Sequence, residues 1–160
     1  MMNRYETTLC YLYGPQGVLM MHRTKKENDI NKDKYIGVGG HIEQGESPDE
    51  CVIREVKEET GLTLNSFRLR AVLTFVIDDI DEVTFLYTSD DFSGEMKSCE
   101  EGDLIWVQEE KIQDLPIWPG DKIFFKLLKE RSDVFSLKLC YVHDELVSAA
   151  LDGKRLEIVV

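Results

Sequence analysis

The sequence predicts an α/β fold, a mixed β-sheet with helices packed on its faces, and three observations lead there. Short segments rich in β-branched and aromatic residues recur along the whole chain. Two stretches carry helix signals instead: a capped start at Ser47, and an apolar stripe at Ile123, Phe124, Leu127 and Leu128. The chain has 160 residues, 42% apolar and 31% charged, which suits one ordinary core, so a single domain over residues 1–160 is expected.

In chain order, Thr7 to Tyr13 and Val18 to Met21 are apolar runs joined by Gly14-Pro15-Gln16-Gly17, which reads as a β-hairpin. Thr24 to Lys34 is polar and without periodicity, and is expected to be a mobile surface loop ahead of Gly37, Gly39 and Gly40. Ser47-Pro48 with Glu50 three residues after the serine is a capping box with proline at the first helical position, so a helix is predicted from Pro48 to Thr60, ended by Gly61. Phe67 to Ile77 and Val83 to Thr88 should be strands around a turn at Asp78 to Asp81. Leu104 to Val107 is a further strand, and Leu115 to Gly120 a rigid connector. Asp121 is expected to cap the second helix, and the tail from Val134 to Val160 to form three short strands, with turns near Asp144-Glu145 and Asp152-Gly153.

Composition limits the function classes. Thirty-one acidic residues against nineteen basic give a formal charge of −12, which opposes binding to the backbone of a long nucleic acid. A polyphosphate substrate would be repelled too unless cations stood between it and the protein. No apolar run is long enough to cross a membrane and the amino terminus lacks a secretion signal, so a cytoplasmic protein without membrane contact is expected. A monomer or homodimer is expected. Cys10, Cys51, Cys99 and Cys140 are widely spaced and read as reduced, mostly buried thiols.

The informative segment runs from Gly40 to Leu62. On a helix, Glu55, Glu58 and Glu59 share one face by i+3 and i+4 spacing, while Val52, Ile53 and Val56 occupy an adjoining apolar face. Three neighbouring carboxylates repel one another unless a cation offsets them, and hard oxygen donors favour magnesium or manganese. Isolated, such a cluster would more often be a solvated acidic face. Here it follows a glycine loop at fixed distance: Gly40, Glu46, Arg54, Glu55, Val56, Glu58, Glu59, Gly61 and Leu62 fill every specified position of G-x5-E-x7-R-E-U-x-E-E-x-G-U, where U is apolar.

That pattern resembles the signature of the Nudix hydrolases. The resemblance implies the Nudix fold, a mixed sheet sandwiched between helices, and hydrolysis of a nucleoside triphosphate to a monophosphate and pyrophosphate with Mg2+, for which Mn2+ can substitute. Glu55, Glu58 and Glu59, with the backbone carbonyl of Gly39, match metal ligands. Arg54 and Glu46 match residues that position them, and Glu55 alternatively matches a residue that orients or deprotonates the attacking water. Glu101, with Glu100 as its competitor, matches a further acid that some members draw from a later loop.

The order of strands and the Trp118-Pro119-Gly120-Asp121 segment resemble the MutT-like triphosphatases that clear oxidised purine nucleotides, with bacterial 8-oxo-dGTP diphosphatases as the nearest subgroup. In the animal oxidised-purine enzyme a tryptophan-proline-acid-acid run stacks on the base and reads its edge. Trp118 and Asp121 match the tryptophan and the second acid, whereas Gly120 replaces the first and Ile36 stands where that enzyme has an asparagine. Thr8, Arg23 and Phe75 match further pocket positions, Arg23 as a candidate phosphate contact. Alternatives are ADP-ribose, a dinucleoside polyphosphate or an RNA 5′ end as substrate, and a non-catalytic nucleotide-binding regulator. Enzymes of this family that act on ADP-ribose usually carry a proline after the signature, and none occurs here between Gly61 and Pro116.

Overall fold

The computed structural model describes residues 3–24 and 28–158. Strands β1 (Asn3–Gly14) and β2 (Gly17–His22) form the expected hairpin, and β3 (Tyr35–Ile36) adds to the end of β2. Helix α1 (Pro48–Thr60) starts at the predicted residue because both capping-box bonds form: the Glu50 amide donates to Ser47 Oγ at 3.1 Å and the Ser47 amide to Glu50 Oε1 at 3.0 Å. Gly61, at φ 82°, closes it by donating to the Lys57 carbonyl. Strands β4 (Thr63–Ile77) and β5 (Ile80–Ser93) follow, then β6 (Asp103–Val107), a 3-10 helical turn (Glu109–Asp114), α2 (Pro119–Glu130), β7 (Phe135–Val142), β8 (Glu145–Leu151) and β9 (Lys154–Leu156).

The strands lie in the order β3-β2-β1-β5-β4-β7-β8-β9, with β6 paired along β2. The β1–β5 and β4–β7 pairs are parallel and the rest antiparallel, so the sheet is mixed as predicted. Alternation along β1 divides the core between two layers. Cys10 and Leu12 pack with Val52 and Val56 of α1, while Tyr11 packs with Phe124 and Phe125 of α2 on the opposite face. Burying these apolar surfaces stabilises the α/β/α arrangement, at roughly 1.5–3 kcal/mol for each large side chain fully withdrawn from water.

Several details depart from the sequence expectation. β4 and β5 run well past Phe67 and Thr88, because polar residues there, such as Asn65 and Asp91, bond across the strands at 3.2 Å. β4 is also irregular: the register with β5 shifts between Leu69 and Ala71, so Leu69 packs on the α1 side and Ala71 on the α2 side. Asp121 does not cap α2. Pro119 takes the first helical position, Trp118 becomes the N-cap, and Asp121 falls within the first turn with its side chain buried. The β7–β8 turn falls at His143-Asp144, one residue earlier than expected.

Part of the expected mobile loop, residues 25–27, and the end of the tail, Val159 and Val160, lie outside the described residues. The rest of the loop is tied down. Asp29 Oδ1 accepts from the Asn31 amide, and the Arg23 amide donates to the Lys34 carbonyl. None of the four cysteines is in a disulfide; Cys10, Cys51 and Cys99 are buried, Cys140 partly so. Among the described residues no helix is long and apolar enough to cross a membrane.

Candidate active site

The glycine loop and α1 meet because two close approaches admit no side chain. A Cβ on Gly39 (φ 155°) would lie 2.0 Å from the Thr8 carbonyl oxygen, and one on Gly40 would lie 2.6 Å from the Glu55 carboxyl carbon. The loop is stitched to β1 through the Thr8 amide donating to Gly40 O at 2.9 Å and the Cys10 amide to Val38 O at 2.6 Å. The Gly39 amide in turn donates to Glu59 Oε2 at 2.8 Å, which fixes the last glutamate of the helix against the loop.

Arg54 organises the other acids. It grips Glu46 through Nε at 2.7 Å and Nη2 at 2.9 Å, and donates from Nη1 to Glu55 at 2.8 Å and to Glu58 at 3.2 Å. This pairing holds the Glu46 carboxyl down at about 2. Burial acts in the opposite sense on Glu59, pushing it up to about 8 against the Gly39 hydrogen bond, with the charges of Glu55 and Glu101 adding to the rise. Glu55 is raised as well, first by burial and partly offset by Arg54.

Glu55 and Glu59 open into a cavity of about 800 Å3 that also reaches Glu101, Arg23, Thr8, Phe75, Trp118 and Asp121. Glu58 does not line it: its side chain is 59% exposed and lies against Arg54. Glu101 lines it and Glu100 does not. Arg23 pairs with Asp29 at 2.6 Å and with Glu101 at 3.2 Å, and the Thr8 hydroxyl meets Cys51 Sγ at 3.2 Å, so both side chains already have partners. Arg54 Nη1 bridges Glu55 and Glu58, while the Gly39 amide holds Glu59. The chemistry of the donors fits a divalent cation. Glu55, Glu59 and Glu101 present hard oxygens to one cavity, and a cation there would offset the burial that raises Glu55 and Glu59.

At the other end of the cavity, Trp118 is 7% exposed and edge-on to Tyr141 at 5.2 Å between ring centroids. Its Nε1 donates to Asn31 Oδ1 at 2.7 Å, and Lys34 Nζ sits 4.5 Å from its ring centre. Asp121, beside it, is 5% exposed, and burial pushes its carboxyl up to about 8, opposed by the charge of Lys34. Sequence reasoning missed Asn31, Lys34 and Tyr141. The first two lie in an aperiodic loop that carries no signal, whereas the alternation of β7 would have turned Tyr141 inward.

A sheet between helices, with a glutamate-bearing helix on a glycine loop, is the framework of a hydrolase. The chain belongs to the Nudix family: residues 3–128 match the NUDIX domain, whose members act on small nucleotide substrates and generally use divalent metals. It is 30% identical over 157 residues to the uncharacterized Nudix hydrolase YvcI of Bacillus subtilis, covering 94% of this chain and 96% of that protein. It is 25% identical over 147 residues to the oxidized purine nucleoside triphosphate hydrolase of Danio rerio, covering 91% and 92% of the two chains. Among solved structures, the MutT protein from Bacillus halodurans superposes with a TM-score of 0.83 at 28% identity, covering 94% of this chain and 99% of that one.

Proposed function

We propose that this protein hydrolyses a purine nucleoside triphosphate, an oxidised one such as 8-oxo-dGTP above all, to the monophosphate and pyrophosphate, using Mg2+, and so removes damaged nucleotides from the cytoplasmic pool before they cause mutation. One observation carries the reading: a single cavity joins Glu55, Glu59 and Glu101 to an indole and a buried acid, Trp118 and Asp121. Its volume, about 800 Å3, suits a nucleotide. The likeness to the oxidized purine hydrolase of Danio rerio over almost the whole chain supports the same substrate class.

At the phosphate end, Glu55 and Glu59 would hold the cation with the Gly39 carbonyl, joined by Glu101 and by Glu58 once it leaves Arg54. A bound magnesium ion, or manganese in its place, supplies charge neutralisation of phosphate oxygens and lowers the pKa of a water. Arg54 positions the glutamates: its grip on Glu46 anchors the guanidinium, which keeps Glu55 turned to the cavity. The Gly39 amide aims one oxygen of Glu59 and leaves the other for ligation. Arg23 is held by Asp29 and Glu101 at the cavity wall, where its fork can meet a phosphate oxygen if one of these acids turns to a cation.

At the base end, Trp118 offers an aromatic wall and Phe75 a second apolar one. Trp118 Nε1 can only donate, so Asn31 must accept with its carbonyl oxygen and present its NH2 group as a donor. Burial raises the Asp121 carboxyl to about 8, and in its protonated form it can both donate and accept. These groups offer a purine edge both donors and an acceptor. Gly120 and Ile36 bring no polar side chain to the positions where the animal enzyme has an acid and an asparagine.

The test is kcat/KM with magnesium for 8-oxo-dGTP, dGTP, 2-hydroxy-dATP, dATP and ADP-ribose. Preference for an oxidised purine by about tenfold or more over its parent supports pool sanitation. Equal rates on all triphosphates would make this a general pyrophosphohydrolase, and turnover of ADP-ribose alone would overturn the substrate class.

A further inference from the structure

A second cavity lies at the other end of α2. It is a groove of about 720 Å3 between the last turn of α2 and the ends of β4 and β5 remote from the nucleotide cavity, and it shares no lining residue with that cavity. Arg70 lines it. The irregularity in β4 makes Arg70 the extra residue between Leu69 and Ala71, and its side chain reaches under α2, where the residue is only 9% exposed.

The guanidinium is incompletely satisfied. Nη2 donates to the carbonyls of Leu128 and Arg131 at 2.8 Å each, and Nη1 donates to Thr88 Oγ1 at 3.3 Å. The buried Nε–H meets no acceptor. No carboxylate of the described residues pairs with Arg70; burial disfavours its charge first, and the like charge of Arg68 adds to this. Capping the end of α2 explains two of its donors, and the partial negative charge of a helix C-terminus offsets only part of a full buried cation. A buried donor without a partner costs free energy that an acceptor would recover.

The rest of the groove completes an anion site. Arg68 lines it without an ion pair among the described residues, and Lys129 stands at the rim. Two acids share the walls: Glu109, whose carboxylate lies 3.8 Å from Lys129, and the exposed Asp90. Three cations against two acids is an inversion in a chain whose net charge is −12. It favours one compact anion over a polyphosphate.

We propose that this groove is a second binding site, independent of the nucleotide cavity, for a single phosphate group received by Arg70 and Arg68. The phosphate can be free, or be the end of a small molecule such as a nucleoside monophosphate; the fork of Arg68 suits either, and the Nε–H of Arg70 gains an acceptor.

The test is an NMR titration of the 15N-labelled chain, free of divalent ions, with inorganic phosphate and separately with a nucleoside monophosphate. The expected result is a saturating shift of the Arg70 Nε–H signal together with the Thr88, Ser89 and Lys129 amides, with Gly39 and Gly40 unmoved. The ligand that saturates at lower concentration names the source. Arg70→Ala risks the end of α2, so the variant to use is Arg68→Ser, whose exposed position leaves the fold intact and which should weaken phosphate binding by about tenfold. Shifts confined to Gly39 and Gly40, no saturating shift at Arg70, or equal affinity in Arg68→Ser would overturn the proposal and leave Arg70 as a helix cap.

Discussion

Replacing Asp121 with Asn isolates the cost of burying an acid beside Trp118. In the folded chain burial raises the carboxyl from 3.8 to about 8. Between those values the folded state holds a proton that the unfolded state has released, so stability contributed at Asp121 is fully present below pH 3.8 and is lost as pH rises towards 8. Each pH unit in that window costs up to roughly 1.4 kcal/mol, so at pH 7 the loss approaches about 4 kcal/mol as an upper limit. Asparagine has nearly the same shape and no proton to lose. Any packing change it brings is therefore constant with pH, while the wild type declines. Urea unfolding of both proteins at intervals from pH 5 to pH 8 measures the difference, and the gap in favour of Asp121→Asn should widen with pH and level off above 8. Glu55, Glu59 and Glu82 are also raised, but they are common to both proteins and cancel. A gap that stays constant from pH 5 to pH 8 would refute the reasoning, because it would mean that Asp121 is ionised in the folded protein.

Three further outcomes are expected. Glu59→Gln keeps the bond from the Gly39 amide and removes a buried carboxylate, so hydrolysis should fall by about a thousandfold or more with the thermal midpoint unchanged or raised; a lowered midpoint would assign Glu59 to the fold alone. Gly40→Ala places a methyl group 2.6 Å from the Glu55 carboxyl carbon, and assays with saturating metal should show kcat reduced by about tenfold or more, whereas unchanged turnover would mean that the orientation of Glu55 is unimportant. Asn31→Leu leaves Trp118 Nε1 without its acceptor and should raise KM by about tenfold while changing kcat little; an equal effect on both parameters would place Asn31 in the chemical step.

The parts of the molecule that could be read from sequence are those specified by neighbours. The capping box at Ser47 and the glycine at 61 fixed both ends of α1, and helical spacing alone put the glutamates on one side. Their division of labour was not legible. Glu58 faces solvent because Arg54 reaches it from one turn away, and Glu55 and Glu59 face the cavity because Gly40 and Gly39 admit them, contacts that depend on how the loop returns against β1. The meeting of Asn31 with Trp118 joins residues 87 apart in a stretch without periodicity, so no local pattern could announce it. Arg70 reads as one polar residue in an alternating strand; only the shifted register with β5 turns it beneath α2. Asp121 looks like a helix cap until Pro119 is seen to start the helix two residues earlier.

The most direct measurement supplies 8-oxo-dGTP and Mg2+ to the protein in 18O-labelled water and follows every phosphorus product. Equal amounts of monophosphate and pyrophosphate are expected, with the label in one of them to mark the phosphorus attacked, and no turnover is expected when the divalent ion is chelated or when Glu59 is glutamine. Release of orthophosphate and nucleoside diphosphate, or hydrolysis that persists without a divalent ion, would contradict the account of the glutamate cluster and the cavity it serves.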